Sequence, residues 1–465
     1  MPTLRDIPPE ILSSFCECLE RPDLRNVRLL NRAFDNAARR ILFRTIFLKV
    51  NLHSFWKLAK ISEHETLRQY VEIFIYDGRE LELAEGSGFE EWLHDTAATG
   101  MGIITDKKRE EFLARFSQQQ LHEYYFNFCR YVRFFQGKIL QGDNEIKWLL
   151  KAMRRFSRLS VVEYAENEQS LEEGRELQPM SFFSPLAQRT LAEPENGWGV
   201  SDTHFWVLVC AVFGSQHPQQ VTALRGEMLD HENMRKVEHV IPQLNLESIQ
   251  LLCLEFKSEG VFKIEDDMSK ISTRSLATLL TRAPNLTSLR LSYGSHPTIC
   301  RNRLFDPSLH WKHLTNLSLQ SLALSPSHFQ QLLQRHSTTL LSLELSNMDL
   351  EQRDNEIYEG SAQALWITMI KFLSHSMSLK QIKLIGSFET NTNEAWSTYG
   401  DGDISVCRPR QDGCLLSRIE HFIIHGGLCP FMLKMDASYN EEFWNPKHSW
   451  TWEEDDTWRF VVLDD

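Results

Sequence analysis

A recurring six-residue pattern constrains the fold of this 465-residue chain more than any other feature. The pattern places apolar residues at its first, fourth and sixth positions. Its copies are LSVVEY (159–164), VTALRG (221–226), IQLLCL (249–254), LTSLRL (286–291), LTNLSL (314–319), LLSLEL (340–345), LKQIKL (379–384) and IEHFII (419–424), with YVEIFI (70–75) as an early member. A unit of this kind predicts a short strand followed by a helix or loop, which is the logic of a leucine-rich repeat.

The copies are unevenly spaced, so the predicted repeats are irregular. Three stretches between copies carry apolar residues at helical spacing and predict helices behind the strands: 274–284, 328–336 and 365–375. Longer intervals predict insertions at 351–360 and 389–413. The turn position that often carries Asn or Cys holds Gly294, Leu322 and Met348, so apolar packing must stabilise the turns. We predict an α/β fold with an irregular leucine-rich-repeat domain over 156–430; a mixed α/β domain of unrelated strands is the alternative.

Charge and hydropathy limit the partners. The net charge of −13 disfavours nucleic acid, because phosphate binding needs concentrated Lys and Arg. The longest apolar stretch, 205–214, is shorter than the roughly 20 residues of a membrane span. Asp6 and Glu10 precede any apolar run, unlike a secretory signal. With nine dispersed cysteines, this pattern predicts no membrane partner and a cytoplasmic and/or nuclear location.

Motifs that carry chemistry are absent from the sequence. No phosphate-binding loop, no GxGxxG after a strand, no GxSxG turn and no HExxH occurs, and no Cys/His cluster has zinc-ligand spacing. Asp401 and Asp403 lack the further ligands of a calcium loop. His421 and His425 fall in a predicted strand and turn, where residues four apart do not face one another. We therefore expect no catalytic residue, no metal site and no cofactor.

The first fifty residues predict three short helices. Pro8 and Pro9 suit the first turn of a helix whose apolar face would carry Ile11, Phe15 and Leu19. A second helix would carry Leu24, Val27 and Leu30. A third amphipathic stretch follows, with Phe34, Ala37, Ala38, Ile41 and Leu42. A unit this small is marginal as a free-standing fold, so part of its apolar surface must meet the rest of the chain or a partner.

The ordered set Leu4, Ile7-Pro8-Pro9-Glu10-Ile11-Leu12, Leu19, Asp23-Leu24, Val27-Arg28, Phe34 and Leu42-Phe43-Arg44 resembles an F-box, in particular that of fungal F-box proteins. The usual signature has Leu-Pro at Ile7-Pro8 and often Leu-Trp at Leu42-Phe43. The resemblance implies an F-box module over 1–48 that docks on the adaptor subunit of an SCF-type cullin-RING ubiquitin ligase, and through it on the cullin. The residues that it assigns to the adaptor contact are Pro8, Pro9, Ile11, Leu12, Leu19, Leu24 and Val27.

The remaining segments complete the predicted organisation. Residues 49–155 would form a helical linker with the first irregular repeats. They include the aromatic segment 121–135, which we interpret as helix core, with a ligand or peptide platform as the alternative. Residues 431–465 carry Trp444, Trp450, Trp452 and Trp458 among acidic residues. This end resembles the tails of the same fungal proteins and would cap the repeats, or alternatively bind a partner.

The resemblance implies that the repeats capture a protein substrate, while other subunits of the ligase transfer ubiquitin. Candidate substrate contacts lie between the strand leucines: Arg290, Gln320, Glu344 and Lys383. The chain would then be a substrate-recognition subunit and not an enzyme. One alternative is a leucine-rich-repeat scaffold whose N-terminal helices only cap the solenoid. Another is an enzyme with an unrecognised site.

Overall fold

The computed structural model describes residues 7–78, 89, 117–141, 143–165, 203–214, 220–229, 234, 238–256, 266–294, 298–299, 304–305, 309–350, 365–390, 395–397 and 415–427. The chain divides into two compact units, Met1–Glu227 and Met228–Asp465. Both have mixed α/β structure, as the sequence predicts. The predicted Trp-rich cap at 431–465 and the insertion at 351–360 lie outside the described residues, as does most of the insertion at 389–413.

The first unit begins with three helices, α1 (Pro9–Glu17), α2 (Arg21–Val27) and α3 (Arg32–Leu42). Proline begins α1 and follows the first residue of α2, positions where a missing N–H costs no helical hydrogen bond. The side chain of Asn31 caps α3 by accepting hydrogen bonds from two backbone amides at 2.8 and 3.0 Å. These helices enclose their own small core, made of Leu12, Cys16, Leu24, Phe34, Ala37 and Ala38.

Four parallel strands follow in chain order in the first unit: β1 (Thr45–Lys49), β2 (Ile73–Asp77), β3 (Val161–Tyr164) and β4 (Ala223–Leu229), the last of which runs two residues past the boundary. Each pairs in parallel with the next, in a register that aligns Phe47 with Ile75, Glu163 and Arg225. Parallel strands need crossover connections, and the helices of this unit supply them.

The crossovers that the structure describes contain five α-helices. They are α4 (Leu52–Glu63), α5 (Gln118–Arg130), α6 (Gly137–Leu140), α7 (Asn144–Met153) and α8 (Thr203–Phe213), with a π-helix, Tyr131–Gln136, between α5 and α6. The rings of Phe55 in α4 and Phe205 in α8 pack edge-on against Tyr76 and Tyr164 of the strands. Helix α8 is buried along nearly its whole length, which explains its apolar composition on every side.

The second unit repeats this arrangement with its own parallel strands. β5 (Leu251–Phe256), β6 (Ser288–Tyr293), β8 (Asn316–Gln320), β10 (Ser342–Leu350) and β11 (Gln381–Thr390) pair in that order. The short strands β7 (Thr298–Ile299) and β9 (Leu322–Leu324) add a parallel ladder beside β10, and β12 (Ala395–Ser397) pairs antiparallel with β11. The helices are α9 (Asp266–Thr281), α10 (Pro326–Arg335), α11 (Leu365–Ser376) and α12 (Leu415–His425).

The six-residue pattern corresponds to the two faces of each strand. Positions four and six point toward the helices and are buried, as with Leu289 and Leu291 in β6. Positions three and five point to the opposite face, because successive side chains of a strand alternate. We call this opposite face the open face of each unit. Leu322 and Met348, at the turn positions, are fully buried, which confirms that apolar packing replaces an Asn ladder there.

Three consecutive strands of the second unit bend at the same place. Ser321, Asn347 and Gly386 have positive φ angles of 55°, 50° and 79°. Each follows a member of one cross-strand row, because Gln320 pairs with Ser346 and Ser346 with Ile385. The backbone amide of Ser321 also donates to the carbonyl of Ser346 at 2.8 Å. The repeats of this unit therefore share a left-handed bend as well as an apolar pattern.

Two strand predictions are wrong in position or type. The segment 419–424, predicted as a strand, belongs to helix α12, in which Ile419, Phe422 and Ile423 are buried at helical spacing. Gly426 and Gly427 follow with φ of 73° and 104°, the left-handed conformation that ends many helices. The early member at 70–75 is shifted by one residue: Val71, Phe74 and Tyr76 are the buried positions.

Two features of the N-terminal half also differ from prediction. Strand β1 was not predicted, although Ile46 and Leu48 are buried and Phe47 lies on the open face as in the other strands. The aromatic segment 121–135 is helical, but Phe126 and Phe134 are 65% and 60% exposed, so helix core is the wrong interpretation for these two rings.

Candidate docking surfaces

The three N-terminal helices divide the predicted adaptor residues into two groups. Leu12 and Leu24 lie in the core of the module, and Leu19 and Val27 are half-buried against it. Pro8, Pro9 and Ile11 are exposed. The predicted apolar face of α1 is off by one residue, since Leu12 and Cys16 point inward and Ile11 and Phe15 outward. The first group holds the module together, and only the exposed group is available to a partner.

Four large apolar side chains remain exposed on this completed module. Ile11 and Phe15 of α1 are 59% and 49% exposed, and Leu29 and Leu30 are 80% and 64% exposed. Isolated exposed apolar residues are ordinary, but a module of this size with four of them offers candidate anchors for a partner. We call these four residues the docking patch.

The apolar spacing in the sequence places Phe15 and Leu30 on helix faces and gives no role to Leu29. The steps of three from Leu24 to Val27 to Leu30 suggest one continuous face, but α2 ends at Val27. Tight turns follow, in which Leu29 and Leu30 donate to the carbonyls of Asn26 and Val27 at 3.0 Å. The cap residue Asn31 was the available signal, because a helix that starts at Arg32 leaves no room for α2 to continue.

An ion pair joins the turn after α2 to helix α3. Asp35 in the first turn of α3 accepts hydrogen bonds from Arg28 at 3.2 Å and from Arg39 at 2.9 Å. A carboxylate in this position also interacts favourably with the helix dipole. The turn that carries Leu29 and Leu30 is thus anchored beside its exposed leucines.

Arg21 joins the module to the sheet of the first unit. Its guanidinium donates to the carbonyls of Leu42 and Thr45, both at 3.2 Å, and lies 5.0 Å from the centre of the Phe47 ring. Burial, with a smaller contribution from Arg25, lowers the pKa of Arg21. A cation at the first residue of α2 opposes the dipole of that helix, whereas at the carbonyl end of α3 it is favourable. Arg21 therefore serves as a cap for α3.

The predicted substrate residues share the open face of the second unit. Arg290, Glu344 and Lys383 lie in one cross-strand row, joined through Ser318. Lys383 and Glu344 form an ion pair at 3.6 Å. Gln320 lies in the next row, between Ser292 and Ser346. The structure brings all four residues together on one sheet face, and the register shows that this face is dominated by small polar side chains.

A buried polar cluster in the first unit was not anticipated from sequence. The hydroxyl of Tyr76 donates to Glu145 Oε1 at 2.6 Å, and His204 Nδ1 lies 2.7 Å from the same oxygen. These three side chains connect β2, α7 and α8, and none is more than 8% exposed. Through these contacts the cluster fixes α7 and α8 on the sheet.

Two further observations concern sites of other kinds. Within the described ranges, no group of three His, Cys, Asp or Glu side chains could hold a metal ion. Among the helices that the structure describes, none has the length and apolar character to cross a membrane.

His421 and His425, which the sequence placed in a strand and turn, both lie on helix α12 with ring centres 4.5 Å apart. The prediction that they would not face one another is therefore wrong. Both rings are at the surface side of the helix rather than in its core.

Comparisons with known proteins add no relative to these observations. No family model matches the chain, and no curated protein matches it either. Fold and surface chemistry are therefore the basis for any assignment of function.

Proposed function

We propose that the chain is the substrate-recognition subunit of an SCF-type cullin-RING ubiquitin ligase. The N-terminal module would be its F-box, which docks on the adaptor subunit and through it on the cullin. The two sets of strands and helices would be irregular leucine-rich repeats that capture a protein substrate. The chain would act in the cytoplasm or nucleus by holding the substrate near an activated ubiquitin, and would itself contain no catalytic group.

The docking patch is the observation that carries this proposal. Its residues stay exposed although the module has a complete core of its own, so their burial is left to a partner. A stable protein interface buries roughly 1,200–2,000 Å² in total, and a three-helix module contributes half of that through most of one face. Large apolar anchors at the centre of such a face supply most of the binding energy.

Three properties of the sheets support the repeat assignment. Apart from the short strands β7, β9 and β12, the strands of each unit are parallel and neighbour one another in chain order. One apolar pattern accounts for their buried positions. The left-handed bend after Gln320, Ser346 and Ile385 gives three repeats a common backbone conformation. Unrelated strands have no reason to share all three properties.

Co-purification with the adaptor subunit tests the docking function. We expect wild-type protein to retain the purified adaptor, and Ile11→Asp or Leu29→Asp to weaken binding at least tenfold, roughly 1.4 kcal/mol or more, because a carboxylate replaces an apolar anchor. Phe126→Asp is the matched control, since it places the same charge at another exposed apolar residue and should leave binding unchanged. Failure of the wild-type chain to retain the adaptor would remove the proposal.

Leu12→Asp and Leu24→Asp are unsuitable for this test. Both positions are at most 3% exposed within the module core, so an unpaired carboxylate there would unfold the three helices. Loss of adaptor binding in these variants would not distinguish contact from folding.

A repeat scaffold without a ligase role is the second candidate function. The contacts of Arg21 with the carbonyl of Thr45 and the ring of Phe47 favour it, because they fix the module on the first strand of the sheet as a cap would. In that case Ile11→Asp would leave every partner interaction of the chain intact. The Ile11→Asp binding measurement therefore decides between the two functions.

A further inference from the structure

The open face of the first unit differs in chemistry from that of the second. Phe47 on β1, Ile73 and Ile75 on β2 and Val161 on β3 are cross-strand neighbours. All four retain partial exposure. With strands about 4.8 Å apart and alternate residues about 6.6 Å apart, they form a patch of roughly 10 by 7 Å. Its size suits two or three apolar side chains of an extended segment.

Exposed arginines lie at the amino ends of the strands that carry this patch and on the adjoining strand β4. Arg44 and Glu72 lie one residue before the paired residues Thr45 and Ile73, and form an ion pair at 3.0 Å. Arg158 binds the other oxygen of Glu72 at 2.8 Å. On the adjoining strands, Arg225 lies 3.8 Å from Glu163.

In each of these pairs the arginine is more exposed than the glutamate. The side chains of Arg44, Arg158 and Arg225 are 57%, 61% and 47% exposed, whereas Glu72 and Glu163 are 25% and 20% exposed. With Arg21 above Phe47, four arginines stand against two glutamates, a local charge of +2. Lys49 and Asp77 are register partners on the same face, and their opposite charges add nothing to this sum. In a chain with a net charge of −13, this surface is locally basic.

We propose that the open face of the first unit binds an extended protein segment whose apolar side chains alternate with or adjoin carboxylates. Apolar side chains of the segment would cover Phe47, Ile73, Ile75 and Val161, and its carboxylates would meet the guanidinium groups of Arg44, Arg158 and Arg225. The inference rests on the proposed function, for which it names the chemistry of the substrate. It moves the contact from the polar face with Arg290 and Lys383 to the first unit.

Fluorescence anisotropy with a designed peptide tests this inference on the full-length chain. The probe is a fluorescein-labelled peptide of eleven residues in which leucine and glutamate alternate. Because the patch is small, we expect a dissociation constant on the order of 10–100 μM that rises with salt. Substitution of lysine for glutamate, or of serine for leucine, in the peptide should abolish measurable binding.

Variants of the chain locate the site. Arg225→Glu and Ile75→Ser should each raise the dissociation constant at least about fivefold, because one reverses an exposed charge and the other removes an apolar contact. Arg290→Glu is the matched control: it reverses an exposed arginine at the same position of the repeat in the second unit, and should change the constant less than twofold. Circular dichroism of each variant confirms that it is folded.

Several outcomes would overturn the inference. They are equal binding of the lysine peptide, equal loss in Arg290→Glu and Arg225→Glu, and absence of binding of the glutamate peptide up to about 1 mM. Adaptor binding is measured separately on the same preparations. If the chain retains the adaptor but does not bind the peptide, the inference is wrong and the proposed function stands. If it binds the peptide but not the adaptor, the proposed function is wrong and the peptide site stands.

Discussion

Arg21 illustrates how a single residue can serve an element to which it does not belong. In the sequence it precedes Pro22 at the start of a helix, where a basic residue is electrostatically unfavourable. In the fold its guanidinium satisfies two carbonyl groups between α3 and β1 and covers an aromatic ring. No pattern in the sequence links residue 21 to residues 42–47, because the link is formed only when α2 folds back on α3.

Removal of this guanidinium should destabilise the first unit. We expect Arg21→Ala to lower the free energy of unfolding by about 1–2 kcal/mol through loss of two charge-assisted hydrogen bonds. Arg21→Lys should recover little, since a shorter and more strongly hydrated ammonium stacks less well on the ring of Phe47. Urea unfolding followed by circular dichroism measures both. Arg25→Ala, on the exposed side of the same helix, is the control, and a loss as large as that of Arg21→Ala would contradict this role.

His336 makes the stability of the second unit depend on pH. It follows α10 and stacks on His310 and Trp311 at ring distances of 5.3 and 5.6 Å. Burial, together with the neighbouring His310 and Arg335, lowers the pKa of His336 to about 4, against 6.5 for an ordinary histidine. In the unfolded chain His336 therefore binds a proton near pH 6.5, whereas in the folded chain it stays neutral until the pH falls to about 4. The corresponding stability is present above pH 6.5 and is lost as the pH falls toward 4.

This linkage can be isolated with a non-titrating ring. Between pH 7.5 and 5, wild-type protein should lose about 1–2 kcal/mol more of unfolding free energy than His336→Phe, which keeps a ring in the stack. Urea titrations at the two pH values give the comparison. An identical pH dependence in both proteins would show that folding does not lower the pKa of His336.

At the scale of the element, the residue types at the left-handed bend do not reveal that three repeats share it. Only one of its three residues, Gly386, is the residue type that adopts positive φ without cost. Ser321 and Asn347 occupy the same place at a cost of roughly 1 kcal/mol each. The hydroxyl of Ser321 is also buried without a hydrogen-bond partner. Sequence alone therefore shows the apolar pattern of these repeats but not their shared turn.

Substitutions at this bend should have opposite signs. Ser321→Gly should raise the free energy of unfolding by about 0.5–1 kcal/mol, because it relieves both the backbone cost and the buried hydroxyl. Gly386→Ala should lower it by a similar or larger amount, since alanine at a φ of 79° is strained. Thermal unfolding of the two variants provides the measurement. A destabilising Ser321→Gly would mean that the serine side chain supports the bend.

At the scale of the whole molecule, the buried positions of most strands could be predicted from the sequence. Seven copies of the pattern, from 159 to 384, coincide with strands β3, β4, β5, β6, β8, β10 and β11. Burial imposes a period on a strand, and the period survives in the sequence. The copy at 419–424 failed because Ile419, Phe422 and Ile423 fit a helical period as well as a strand in so short a window.

The exposed surfaces were harder to predict, because exposed positions impose no periodic pattern of apolar residues on the sequence. Whether Ile11 or Leu12 points inward depends on how three helices meet, and a shift of one residue moved the predicted apolar face of α1. Leu29 and Leu30 were hidden by an apparent continuation of α2. The apolar open face of the first unit depends on a strand, β1, that adjoins the helical module and was not recognised.

The common bend also bears on how repeats of unequal length can coexist. Before the bend the strands pair in straight cross-strand rows, such as the one from Arg290 to Lys383. After the bend β10 pairs again with β9 and β11, and its register with β11 is shifted at this point. Segments added after it lengthen a repeat without changing the rows that precede it. Intervals between strands in this unit can therefore differ in length, while the spacing of side chains in the rows before the bend stays the same.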